Sequence, residues 1–153
     1  MKRFLISLLS AVLVFSLFSC GDYYGHCELV LPLDKEYQAV ESEGFDKSYT
    51  NGVYAVGIVR ISFEAGFNQG IPETMSAREL ARFWKTQTGK DAVIETDGTT
   101  PYYTYELDGY FYLSGFYRSP YAYFVVLMSA PIAVSESAKQ DFTEILDGAK
   151  FEI

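Results

Sequence analysis

One side chain near the start of the chain has the chemistry for covalent modification. Cys20 follows Leu17-Phe18-Ser19, after two basic residues, Lys2 and Arg3, and a 15-residue uncharged, mostly apolar run from Phe4 to Phe18. A basic start, an apolar run and a small residue make the order of a secretory signal peptide: the charge stays inside, the run enters the bilayer, and the peptidase accepts a small side chain at the cut. A thiol placed at that cut is a nucleophile able to form a thioether. The run is short of the roughly 20 residues that span hydrocarbon, which argues against an uncleaved anchor. Cleavage after Ser19 without lipid is the other alternative.

Leu17-Phe18-Ser19-Cys20 resembles the lipobox of bacterial lipoprotein precursors. The resemblance implies that signal peptidase II cuts before Cys20 and that the Cys20 sulfur carries diacylglycerol. Two acyl chains hold a protein stably where one binds marginally. The expectation is a lipid-anchored protein of the cell membrane facing the extracytoplasmic side. Residues 1–19 are then signal peptide, 20–25 a lipidated tether, and 26–153 a single domain.

Tyrosine is the second concentration of chemistry. Tyr103 and Tyr105 share one face of a strand by alternation, and Tyr110 and Tyr112 share one face of the next. A face of phenols offers apolar area and hydroxyls at little entropic cost, which suits recognition of a protein or a sugar ring. The same residues are good strand formers that pack beneath helices.

Catalysis is not supported by the motifs. Acid–base chemistry needs two positioned carboxylates or a base beside a nucleophile. Glu95, Asp97, Glu106 and Asp108 fall near two hairpin ends, and both aspartates precede glycine, a turn signature. His26, the sole histidine, reads as a polar edge residue, and a single histidine gives no Cys/His zinc spacing. With Cys20 lipidated, Cys27 reads as a small apolar residue in a strand, or as a reactive or intermolecular thiol. The expectation is no enzyme, no cofactor and no metal.

Removing residues 1–19 takes away two basic charges and leaves 134 residues with 10 Lys+Arg against 20 Asp+Glu, a formal charge of −10. That opposes nucleic-acid binding, which rests on phosphate neutralisation by Lys and Arg. The length suffices for one domain with its own core.

The elements that position these residues are legible as alternation and turns. Strands are expected at His26–Leu31, at Phe45–Thr50 and Val53–Phe63 joined by a tight Asn51-Gly52 turn, and at Ala92–Thr96. They continue at Tyr102–Leu107, Tyr110–Ser119, Tyr121–Ala130 and Lys150–Ile153, with turns at Asp97-Gly98 and Asp108-Gly109. Ser76-Ala77-Arg78-Glu79 is a capping box opening a helix whose stripe is Leu80, Phe83, Trp84 and Gln87 and which ends at Gly89. A second helix runs from about Glu136 to Asp147. Glu64–Met75 reads as the longest irregular stretch. The almost wholly apolar Tyr121–Ala130 run calls for a central strand covered on both faces by the two helices. The expected class is α+β, an antiparallel sheet with helices on both faces.

This order resembles the PsbP-like α/β/α sandwich found in bacterial lipoproteins. The fold is shared with the extrinsic PsbP protein of photosystem II and a Ran-binding nuclear-import factor. The matching pieces are Leu29-Val30-Leu31-Pro32, the Asn51-Gly52 hairpin, the helix from Ser76 to Trp84, the Tyr-rich meander Tyr102–Phe124 and the stretch Asp141–Phe151. The resemblance covers about residues 26–153. It implies a small non-enzymatic domain that binds or assists other proteins, here an envelope protein as partner; a small-ligand or glycan binder using the tyrosine face is the alternative.

Overall fold

A computed structural model describes residues 27–95 and 98–153. Six strands form one antiparallel sheet: β2 (Gln38–Ala39), β3 (Lys47–Thr50), β4 (Ala55–Ser62), β5 (Tyr102–Leu107), β6 (Tyr110–Arg118) and β7 (Ala122–Pro131), in the order β2-β3-β4-β7-β6-β5. A separate two-stranded ladder joins β1 (Glu28–Val30) to β8 (Lys150–Glu152). The helices are α1 (Phe63–Phe67), α2 (Ala77–Gln87) and α3 (Ser135–Asp147).

The apolar run reads as a two-sided strand because it is one. β7 lies between β4 and β6, and Ala122 to Ala130 are all buried. Phe124, Val126 and Met128 pack with Val56, Ile58, Leu113 and the α3 residues Ala138, Phe142 and Leu146. Tyr123 and Val125 pack on the other face with Val59, Ile61, Phe116 and the α2 residues Leu80, Ala81 and Trp84. The sheet with a helix on each face is therefore the observed architecture. Gly115 in β6 lets α3 approach closely: a Cβ there would sit 2.6 Å from a Leu146 methyl.

The capping box forms as read. The Glu79 N–H donates to Ser76 Oγ (3.2 Å), and the Ser76 N–H donates to Glu79 Oε2 (2.7 Å). Hydrogen bonds from Ser76, the backbone one first, hold the Glu79 carboxyl below its usual value. Its contribution is therefore present above the ordinary carboxylate range and is lost as pH falls through the depressed folded value. We expect Glu79→Ala to lower the melting temperature at about pH 7 and to differ little from the parent at about pH 2.5, in thermal melts. An equal penalty at both pH values would contradict the box.

Several boundaries differ from expectation. Val53 is not in the strand, which begins at Ala55. Asn51-Gly52 belongs to a four-residue loop, not a two-residue turn: Asn51 Oδ1 accepts from the Val53 (3.0 Å) and Tyr54 (2.7 Å) N–H groups, and only Gly52 of the pair has positive φ. Asp108-Gly109 is the two-residue turn, with φ values of 51° and 82° as a type I′ hairpin requires. The stretch after Phe63 is not wholly irregular, because Ser62 Oγ caps α1 by accepting from the Ala65 N–H (3.1 Å). Gln87 points to solvent, and Ala81 takes its place in the buried stripe. Ala92–Thr96 makes no ladder within its described residues, only an isolated bridge from Glu95 to Tyr102.

Candidate functional site

The four nominated tyrosines come together. In the β5–β6 register Tyr105 lies opposite Tyr112, and Leu107 opposite Tyr110. The Tyr105 and Tyr112 rings stack at 4.9 Å and 10°. Tyr110 adjoins Tyr112 at 6.5 Å and Tyr103 adjoins Tyr105 at 6.1 Å. Tyr103 then stacks on Phe116 (5.6 Å), which meets Trp84 of α2 edge-on (6.4 Å). One aromatic row thus runs from beneath α2 to the β5–β6 turn.

Burial divides that row. Tyr103 and Tyr112 are 1% and 2% exposed, so they are core side chains and do not form an open recognition surface. Tyr105 and Tyr110 are half-buried. Lys90 Nζ sits 4.4 Å from the centre of the Tyr105 ring. The cavity beneath, bounded by Phe45, Trp84, Tyr103, Tyr105 and Leu127, has a volume of about 20 Å³. That is room for one water and no sugar.

Burial raises the phenol pKa of Tyr103, Tyr105 and Tyr117, and pushes Tyr37 up to about 12 with Asp34 adding. A raised folded value means the protonated phenol favours the fold fully below the ordinary tyrosine value of about 10. Above it the unfolded chain ionises first, and the contribution is lost as pH rises through the folded values. Urea midpoints are expected to hold near about pH 8 and to fall steeply towards about pH 11. A flat profile would contradict the burial of these phenols.

A roomier cleft lies elsewhere, along α3. It has a volume of about 440 Å³, within the range of small-ligand sites, and is lined by Gly98, Thr100, Tyr102, Lys139, Thr143 and Asp147 among others. Lys139 Nζ bridges both Glu95 oxygens (3.0 and 3.1 Å), and the Tyr102 hydroxyl donates to Glu95 Oε2 (2.9 Å). The lysine charge is spent on that carboxylate. A second cleft, about 270 Å³, lies beside Cys27, Asp46, Arg60 and Phe124, and there Lys47 Nζ pairs with Glu28 Oε2 at 2.7 Å. That hydrogen bond raises the Lys47 pKa. Among the described residues no group of three or more His, Cys, Asp or Glu is arranged to hold a metal. Sequence reasoning placed Glu95 near a turn but missed its partner, because Lys139 is 44 residues away.

Of the remaining carboxylates, Asp108 makes the hairpin turn and Glu106 is exposed on β5. Cys27 is 1% exposed, inside the α3-side core. The signal segment 1–19, Cys20, the tether to residue 25, His26 and Asp97 lie outside the described residues. No helix among the described residues is long and apolar enough to cross a membrane.

No protein-family model matches the chain, and no curated protein matches it. A solved structure from Bacteroides thetaiotaomicron aligns with 82% of this chain at a TM-score of 0.54 and 10% identity. The chain spans 45% of that protein's length. LpqN, a protein involved in cell envelope biogenesis of Mycobacterium tuberculosis, aligns at a TM-score of 0.48 and 10% identity, over 84% of this chain and 86% of LpqN. The first likeness bears on the fold alone, and the second is too low to carry an argument.

Proposed function

We propose that this chain is an extracytoplasmic lipoprotein, held to the cell membrane by diacylglycerol on Cys20, whose folded body binds an envelope protein and performs no catalysis. The observation that carries the reading is Leu17-Phe18-Ser19-Cys20 at the end of a charged and then apolar leader. Order of elements supports the PsbP-like part of the reading: hairpin, capped helix, aromatic meander, second helix and closing strand. Binding is preferred over catalysis because the lysine of each cleft is paired with a carboxylate, Lys139 with Glu95 and Lys47 with Glu28. Binding of a sugar by the tyrosine row is disfavoured by the lack of space beneath Tyr105.

The test is Cys20→Ala in cells fed labelled palmitate. The parent is expected to carry label and to lack residues 1–19; the variant is expected to carry none and to keep them. A variant that is labelled and trimmed like the parent would remove Cys20 from the account.

A further inference from the structure

We propose that the outer edge of β5 docks an extended segment of a partner protein, which adds as a further strand through the backbone of Thr104 and Glu106 and carries basic side chains beside Glu106. The proposal deepens the protein-binding reading above and rests on it.

The hydrogen-bond phase of β5 fixes which groups point outward. Strand order places β5 at the edge of the sheet, paired with β6 on one side only. The Phe116 N–H donates to the Pro101 carbonyl (3.1 Å), so residues 101, 103, 105 and 107 direct their backbone groups at β6 by antiparallel alternation. Tyr102 points the other way and exchanges both backbone bonds with Glu95 (2.8 and 3.1 Å). Thr104 and Glu106 follow in the same phase. Their outward N–H and C=O groups have no partner among the described residues. The chain just before Glu95 does not cover them with a ladder: the bridge is isolated, and Ala92 and Ile94 pack into the core on the α2 side. An open pair of donors and acceptors in extended register is what strand addition uses.

Charge chooses the occupant. Pairing β5 with its own copy in antiparallel fashion sets Glu106 across from Glu106 or beside it, and each chain already carries a strongly negative balance. Glu106 is exposed, and Asp108 follows it at the turn. Alternation puts Thr104 and Glu106 on the α3 face of the sheet with Tyr102, and the half-buried Tyr105 and the 36%-exposed Leu107 on the other face. The fitting strand therefore alternates basic residues, for the Glu106 side, with β-branched or aromatic residues, for the Tyr105 and Leu107 side.

Backbone amide exchange in the full-length chain, purified in detergent, tests this with a decapeptide of alternating lysine and valine as probe. In the free chain the Thr104 and Glu106 amides are expected to exchange faster than those of Tyr103 and Tyr105, and the peptide is expected to protect them. Thr104→Pro removes an outward donor that the β5–β6 ladder does not use, so it is expected to weaken the peptide about tenfold while the fold survives. Glu106→Lys is expected to weaken it about fivefold and to favour a glutamate–valine peptide instead. The second variant keeps the test decisive where the first fails to fold. Slow exchange at Thr104 and Glu106 in the free chain, no protection by the peptide, or undiminished binding by the variants would overturn the proposal. A parent protein without palmitate label would sink the anchor and leave this edge standing, and an inert edge would leave the anchor standing.

Discussion

Phe142→Ala is expected to destabilise the fold by about 3–5 kcal/mol, the usual loss for a buried aromatic truncated to alanine. The ring is fully buried on α3. It meets Tyr54 edge-on at 5.0 Å and stacks with Phe111 at 6.3 Å. Truncation removes contacts to β6 and to the loop before β4 at once and leaves a void between α3 and the sheet that Ala138 is too small to fill. Against a typical domain stability of about 5–15 kcal/mol, the loss is a large fraction. Urea unfolding reads it as a lower midpoint at unchanged slope. A midpoint within error of the parent would mean that α3 does not seal this face.

Tyr103→Ala is expected to cost about as much, again about 3–5 kcal/mol, from the opposite face. Tyr103 is 1% exposed and stacks on Phe116 at 5.6 Å, in the layer closed by Trp84. Its hydroxyl lies 3.5 Å from Thr88 Oγ1, at the limit of a hydrogen bond, so Tyr103→Phe is expected to cost only about 1 kcal/mol. Tyr110→Ala serves as the contrast, being half-buried near the turn. The discriminating readout is the melting temperature: a large drop for Tyr103→Ala and a small one for Tyr110→Ala follow from a core role for the first. Melting unchanged in Tyr103→Ala would restore that residue to a recognition surface and contradict its burial.

These two residues show what the sequence could and could not convey. Alternation placed Tyr103 with Tyr105 on one face of a strand and Tyr110 with Tyr112 on one face of the next, and the register brings the two pairs together. Alternation cannot report what covers a face, so it could not separate Tyr103, buried with Trp84 of α2, and Tyr112, buried with Leu127 and Phe45, from the half-buried Tyr105 and Tyr110. The β7 run was legible because burial on both faces demands continuous apolar side chains. The α2 start was legible because a capping box is local chemistry. Asp108-Gly109 was legible for the same reason, whereas Asn51-Gly52 carried the same signal and was diverted by the Asn51 side chain, which took two backbone donors for itself. The five-residue α1 is too short for periodicity to register, and it holds a glycine. Ala92–Thr96 has the alternation of a strand, and Ala92 and Ile94 pack into the α2-side core, but among its described residues only Glu95 pairs with β5. The Glu95–Lys139 bridge beside the α3 cleft has no local signature at all.

The account depends on a lipid at Cys20, and the mass of the amino-terminal peptide of the native protein, taken from membranes, reads that directly. The account predicts a peptide beginning at Cys20 and heavier by a thioether-linked diacylglycerol. A peptide that retains residues 1–19, or one whose Cys20 is an unmodified thiol, would contradict it.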